Sequence, residues 1–228
     1  MTPSGSLLAA TGLHKAYGPT PALAGADFSV HPGEVVAVMG PSGSGKSTLL
    51  HCLAGILRPD SGTVRYGARE LSELSDSERS ALRRGEFGFV FQFGRLVPEL
   101  TCAENVALPL RLNGMKRKKA EAAALEWLER LEVTEVRGKR PGEVSGGQGQ
   151  RVAVARALVT RPRVIFADEP TGALDSLNGE RVMQLLTQAA RETRAAVVLV
   201  THEARVAAYS DREVVVRDGV ARDMAGVS

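Results

Sequence analysis

The sequence predicts an α/β fold with a mainly parallel core sheet, and three observations predict it. Val35-Val36-Ala37-Val38-Met39, Phe87-Gly88-Phe89-Val90-Phe91, Val164-Ile165-Phe166-Ala167 and Ala196-Val197-Val198-Leu199-Val200 are short runs with no polar side chain. Runs of that kind suit strands covered on both faces, the habit of parallel sheets. Each run ends directly in chemically loaded residues: the glycine loop that begins at Gly40, Gln92, Asp168-Glu169 and Thr201-His202. Ligands of such sheets gather beyond the carboxyl ends of the strands, so four strands would deliver their polar residues to one rim. Between the runs lie segments with helical periodicity. The expected architecture adds an N-terminal antiparallel β region and an inserted α-helical subdomain to the parallel core.

The elements follow in order. Residues 5 to 35 read as strands joined by tight turns. After Val35–Met39 comes Gly40-Pro41-Ser42-Gly43-Ser44-Gly45-Lys46-Ser47-Thr48. It matches G-x-x-x-x-G-K-[ST], the loop whose backbone N–H groups turn inward around phosphate oxygens, and it stands between a strand and a helix as that motif requires. Lys46 to Leu57 is the helix that follows, with Leu49, Leu50 and Leu53 inward. Ser75-Asp76-Ser77-Glu78 has capping-box spacing and starts a short helix through Ala81-Leu82. Residues 95 to 143 carry helical patterning without a strong strand. Within them Lys116 to Leu131 repeats Ala124, Leu125, Leu128 and Leu131 at helical spacing. Asn178 to Ala190 and Glu203 to Tyr209 are the remaining helices. Val214-Val215-Val216 and Val220, joined by Asp218-Gly219, form a closing hairpin. The expectation is one domain over residues 1–228, its core at about 1–94 and 144–228 and its helical subdomain at about 95–143.

Composition bounds the function. The chain of 228 residues is 43% hydrophobic and 24% charged, ordinary values for a globular domain. A net charge of +3 gives no argument for nucleic acid. Lys116-Arg117-Lys118-Lys119 is the one dense basic run; it is either a solvated helix start or a contact for anionic lipid or a partner. Cys52 and Cys102 offer neither metal-ligand spacing nor a disulfide framework, and each reads as a small buried hydrophobe in a reducing compartment. Met1 to Ala10 has no basic residue and no long apolar core, so it does not read as a signal peptide. No apolar run approaches the roughly 18 residues that span a bilayer.

The motifs imply phosphate chemistry. Lys46 suits neutralisation of β- and γ-phosphates, and the Ser47 hydroxyl suits Mg²⁺. Asp168, at the end of an apolar strand, suits an acid that orients the metal through water. Glu169, one residue further on, can polarise an attacking water or take its proton. A second grip stands at Val144-Ser145-Gly146-Gly147-Gln148-Gly149-Gln150-Arg151. It lacks a lysine but sets a hydroxyl and two glycines at the start of a helix, where free N–H groups and the dipole favour an anion.

Ser145 to Arg151 resembles the signature sequence of ATP-binding-cassette ATPases, and the likeness runs over almost the whole chain. The resemblance implies ATP with Mg²⁺ as ligands and ATP hydrolysis as the activity. It also implies a role for each matching residue. Tyr17 would stack on adenine, and Gln92 would reach the metal and the attacking water. Glu169 would be the catalytic carboxylate in Arg163-Val164-Ile165-Phe166-Ala167-Asp168-Glu169-Pro170. His202 would contact the γ-phosphate, and Asp175 in Ala173-Leu174-Asp175 would cross to another subunit. Plainer readings stand beside these: Tyr17 as a packed surface aromatic, Gln92 as a strand-end polar residue, Asp175 as a helix cap and His202 as a structural histidine.

The resemblance also accounts for two grips in one chain. It implies a head-to-tail homodimer in the presence of ATP, with Ser145, Gly146, Gly147 and Gln148 of one copy closing on the phosphate held by Lys46 of the other. A membrane permease would dock near residues 92–110, making the chain a cytoplasmic subunit held peripherally at the inner face of the membrane. Phe89-Val90-Phe91-Gln92, Leu96-Val97-Pro98-Glu99-Leu100-Thr101 and Asp168 to Asp175 look most like a bacterial subfamily that serves macrolide export, lipoprotein release, antimicrobial-peptide resistance and cell division. An alternative within it is a regulatory cassette that signals to a cell-wall enzyme without transport. A small-molecule kinase or GTPase has no use for Ser145-Gly146-Gly147-Gln148. A chromosome ATPase would need a long coiled-coil insertion, and a translation factor would need two such domains. Gly149 departs from the family pattern, which carries a helix-suited side chain there; the expectation is a slightly softened signature helix that keeps activity.

Overall fold

The computed structural model describes residues 5–223. Residues 1–4 of the stretch read as leaderless, and 224–228 at the end of the expected domain, lie outside the described residues. The chain forms two compact units, one ending at Arg83 and resuming at Ala196, the other spanning Arg84–Ala195.

In the first unit, β1 (Leu8–Tyr17) and β2 (Thr20–Val30) form an antiparallel hairpin. The other edge of β1 pairs with β4 (Ser61–Tyr66), which pairs in turn with β5 (Arg69–Glu70). The sequence reading assigns no element between Leu57 and Ser75, and pairing with β1 makes Ser61–Tyr66 a strand. β3 (Val35–Met39) lies between β8 (Ala196–Val200) and β9 (Arg212–Arg217), parallel to both. Every residue of β8 is buried, as its unbroken apolar run requires. β10 (Val220–Asp223) returns antiparallel to β9 through Asp218 and Gly219 at φ +50° and +74°, the pair of positive angles a two-residue hairpin needs. Arg212 locks this arrangement, donating to Glu34 at 2.9 Å, the Ser29 carbonyl at 2.7 Å and Asp223 at 2.5 Å.

Helix α1 (Lys46–Leu53) packs on β1, β2 and β8 and buries Leu49, Leu50 and Leu53. It ends before the expected Leu57 because Gly55, at φ +62°, closes it. The Gly55 N–H donates to the Cys52 carbonyl at 3.0 Å and the Ile56 N–H to the His51 carbonyl at 2.9 Å, the double bond of a left-handed helix stop. α2 (Asp76–Gly85) starts under the expected box: the Ser75 N–H and hydroxyl both donate to Glu78, and the Glu78 N–H donates back to Ser75 Oγ. α7 spans only Ala204–Ala207 of the expected 203–209.

In the second unit, β6 (Phe87–Phe91) and β7 (Val164–Asp168) run parallel, with Phe91 opposite Asp168. Phe166 sets their shared face, edge-on to Phe87 at 5.3 Å and stacked on Phe89 at 5.5 Å. α3 (Cys102–Leu112), α4 (Arg117–Arg130) and α5 (Gly146–Leu158) pack on one another; α6 (Ser176–Thr193) and β6 also pack on α5. The inward face of α4 is Ala120, Ala124, Trp127 and Leu128; Leu125, expected on it, is 40% exposed because it lies one step round the helix from Ala124. Both cysteines are buried and free, and burial pushes the Cys52 thiol up to about 11. Among the described residues, no helix is long and apolar enough to cross a membrane.

The irregular segment that follows β6 is pinned by polar side chains. Asn105 is fully buried on α3; it accepts from the Val97 N–H at 2.7 Å and donates to the carbonyls of Val97, Leu100 and Thr101. Arg156 of α5 donates to the carbonyls of Gly94 and Arg95, and burial lowers its guanidinium pKa from the ordinary value. Removing Asn105 leaves half-buried backbone groups of this segment unpaired. Asn105→Ala is therefore expected to cost about 2–3 kcal/mol, read from urea unfolding; a loss under about 0.5 kcal/mol, the range of neutral surface changes, would show that the segment holds without it.

Candidate functional site

In the first unit, the glycine loop is shaped by what surrounds it. Gly40 and Gly45 have φ of +147° and +105°, angles that side chains disfavour. A β-carbon on Gly40 would stand 2.2 Å from the Val216 carbonyl oxygen of β9, and one on Gly45 would stand 2.2 Å from the Ala22 carbonyl oxygen of β2. The loop is thus wedged between two backbones. Gly45 is the N-cap of α1 and supplies no side-chain cap, and the first turn carries no acid. The leading N–H groups of that helix therefore present an anion site.

Lys46, 8% exposed, donates from Nζ to the carbonyls of Gly40 at 2.9 Å and Pro41 at 2.8 Å. These bonds hold the ammonium over the loop with a third proton left to share. Ser44 Oγ is buried and has no partner among the described residues, an orphan that a phosphate oxygen would satisfy. Ser42, Gly43, Ser47 and Thr48 complete the loop and the first turn of α1.

His202 lies at the same end, because β8 runs parallel to β3 and the Thr201 N–H donates to the Val38 carbonyl at 3.2 Å. Thr201 is fully buried and His202 is exposed just beyond it. Tyr17, 53% exposed, ends β1. Its approach is fixed by Asp60, which accepts from Lys15 Nζ at 2.7 Å and the Ala16 N–H at 2.8 Å; these bonds hold the Asp60 carboxyl below its ordinary value.

In the second unit, parallel pairing of β6 with β7 brings Gln92, Asp168 and Glu169 to one end. Glu169 has φ +48°, a left-handed angle that costs a non-glycine residue about 1 kcal/mol. The angle turns the chain sharply at the strand end, where the Gly172 N–H donates to the Glu169 carbonyl at 3.1 Å. Gln92 lies over that turn: a β-carbon on Gly172 would stand 2.9 Å from Gln92 Nε2. Gln150 anchors the strand end by donating to the Phe91 carbonyl at 2.8 Å.

Ser145 is the N-cap of α5 and accepts from the Gln148 N–H at 3.2 Å, while Gln148 Oε1 accepts from the Ser145 N–H at 3.0 Å. Ser145 and Gly146 are exposed and the Ser145 hydroxyl keeps its proton to donate, so this helix start also faces outward as an anion grip. Asp175 caps α6, accepting from the Asn178 N–H at 3.0 Å and from Asn178 Nδ2 at 2.7 Å, which lowers its carboxyl pKa. The sequence reading names Asn178 only as the start of a helix, yet it joins the two features. A β-carbon on Gly147 would stand 2.6 Å from Asn178 Oδ1, so helix α5 rests on the side chain that Asp175 holds. The one sequence signal was an amide at the third helix position after an aspartate cap. A cleft of about 270 Å³ runs beside this junction, bordered by Gln92, Phe93, Ser145, Gly149 and Leu174.

Donor chemistry fits the expected cation. Among the described residues, no cluster of three or more His, Cys, Asp or Glu side chains forms. The Ser47 hydroxyl of the first unit, and the Gln92 amide oxygen and Asp168 carboxylate of the second, are each hard oxygen donors, the kind Mg²⁺ takes alongside substrate phosphates.

The family model described as "ABC transporter" matches residues 23–172. The lipoprotein-releasing system ATP-binding protein LolD 2 of Caulobacter vibrioides is 47% identical over 220 residues, covering 95% of this chain and 96% of that protein. The pyoverdine export ATP-binding/permease protein PvdT of Pseudomonas entomophila is 44% identical over 221 residues, but these are only 34% of its length. Among solved structures, a dimeric ATP-binding cassette in a post-hydrolysis state, bound to ADP and Pi, matches with TM-score 0.87 and 39% identity over 96% of this chain and 99% of that one.

The neighbouring glycines of α5 should respond in opposite directions. Gly147→Ala must displace Asn178 from its bond to Asp175 and is expected to destabilise by about 1–3 kcal/mol. At Gly149 an added methyl meets only Val144 Cγ2, at 3.7 Å. Gly149→Ala is therefore expected to stabilise by about 0.5–1 kcal/mol. Denaturant midpoints of the two variants decide it; shifts of the same sign would refute the packing described here.

Proposed function

Because the chain belongs to the ABC transporter family, of which it is an ATP-binding and ATP-hydrolysing subunit, we propose that it powers lipoprotein release through a membrane permease. The observation that carries this reading is the pair of phosphate grips, one at the start of α1 and one at the start of α5, in a chain with close likeness to lipoprotein-releasing ATP-binding proteins. Two copies pack head to tail in the presence of ATP. Ser145, Gly146, Gly147 and Gln148 of one copy close over the phosphate cradled by Gly40 to Thr48 of the other. The dimeric cassette structures similar to this chain support that arrangement.

Each residue then has a task. Lys46 and the loop N–H groups bind and orient the phosphates, and Tyr17 stacks on the base. Glu169, aimed by its left-handed backbone angle, takes the proton of the attacking water, with Gln92 and His202 positioning water and γ-phosphate. Ser47 and Gln92, with Asp168 through water, would hold Mg²⁺, which when bound neutralises charge that develops on the phosphates. Asp175 meets the partner copy while capping α6. Residues 95–143 are the helical subdomain of a single cassette domain, and the pinned segment after Gln92, with α3 to about residue 110, receives the permease. The chain thereby sits peripherally at the inner face of the membrane.

Glu169→Gln is expected to bind ATP, lose turnover, and accumulate as a dimer in ATP on size-exclusion chromatography; a monomer under those conditions would sink the two-grip reading. Ser145→Arg fills the second grip with a cation-bearing side chain. It should abolish hydrolysis while the monomer still binds nucleotide, and wild-type turnover in this variant would show that the grip is unused.

A further inference from the structure

We propose that the turn joining α3 to α4, together with the basic run that opens α4, is a docking surface for an anionic lipid bilayer. Residues 111 to 119 are exposed at every position, between buried Leu110 and buried Ala120. This stretch holds five cations, Arg111, Lys116, Arg117, Lys118 and Lys119, and no acid. It also presents two apolar side chains to solvent, Leu112 at 62% and Met115 at 37% exposure. Two of the cations are used internally. Arg111 donates to the Met115 carbonyl at 3.2 Å and stiffens the turn, and Arg117 pairs with Glu121 at 2.5 Å. Lys116, Lys118 and Lys119 make no ion pair among the described residues.

Helix stability does not account for that placement. The N-cap of α4, Lys116, makes no side-chain cap bond, and the first turn contains no acid. Cations there meet the positive end of the helix dipole, so the charges work against the helix that carries them. Where local structure is opposed in this way, the residues serve something outside the fold. Lysines flanking exposed leucine and methionine match an anionic interface: the ammonium groups meet lipid phosphates and the apolar side chains enter the headgroup region. Nucleic acid fits less well, since the stretch has no aromatic side chain to stack on bases.

The test is co-sedimentation of the full chain with phosphatidylcholine vesicles, with and without phosphatidylglycerol, at low and high KCl. Binding is expected only with phosphatidylglycerol, and salt should weaken it. Each of Lys116→Gln, Lys118→Gln and Lys119→Gln should lower partitioning by about fivefold, and the triple variant should lose more than tenfold while keeping wild-type ATPase turnover. If the triple variant does not fold, graded losses in the single variants carry the same information. Equal binding to neutral vesicles, no binding to anionic ones, or an unchanged partition in the variants would overturn the proposal. So would preferential capture by a single-stranded oligonucleotide added in competition. The outcome is independent of dimerisation, so failure here leaves the two-grip reading standing.

Discussion

The glycine loop has almost no room in which to exist, and that constraint organises the first unit. Carbonyl oxygens of Val216 and Ala22 press on it from two strands, each 2.2 Å from where a β-carbon would lie. Only a chain without side chains at Gly40 and Gly45 passes between them. β3 supplies the loop, β9 and β2 supply the walls, and parallel pairing with β8 delivers Thr201 and His202 to the same end. Lys46 completes the cradle by bonding the loop's own carbonyls. A phosphate grip of this kind is preorganised by backbone packing, so little ordering cost is left for binding.

The second unit solves a related problem with side chains. The start of α5 is capped by Ser145 and Gln148 in a reciprocal pair, and its second residue, Gly147, rests on Asn178. Asn178 is held by Asp175, the cap of α6. Two helix starts therefore share one small polar junction, and movement at one is felt at the other. The segment after Gln92 is treated alike: Gln150 holds the Phe91 carbonyl just before it, and Arg156 and Asn105 hold carbonyls within it.

Much of this was legible in the residues. Apolar runs with loaded ends located β3, β6, β7 and β8, capping-box spacing located the start of α2, and a hydroxyl followed by two glycines marked the start of α5. These signals are local, set by side-chain period and by hydrogen bonds within one turn. The reading missed β4, whose Ser61-Gly62 start carries no strand signal until β1 pairs with it. It carried α1 too far because it treated Gly55 as one more residue before the turn. It counted Leu125 with the inward face of α4, where Trp127 takes that place.

By itself the sequence determined the core-sheet strands and main helices, the glycine loop, the candidate acids and the family, since each depends on residue identity at short spacing. Only the tertiary structure decided why Gly40 and Gly45 admit no substitute, why Glu169 stands at a positive φ, and that Asn178 joins Gly147 to Asp175. The glycine-loop walls and the Asn178 junction depend on groups distant in sequence coming into van der Waals contact, which no periodicity in the chain encodes.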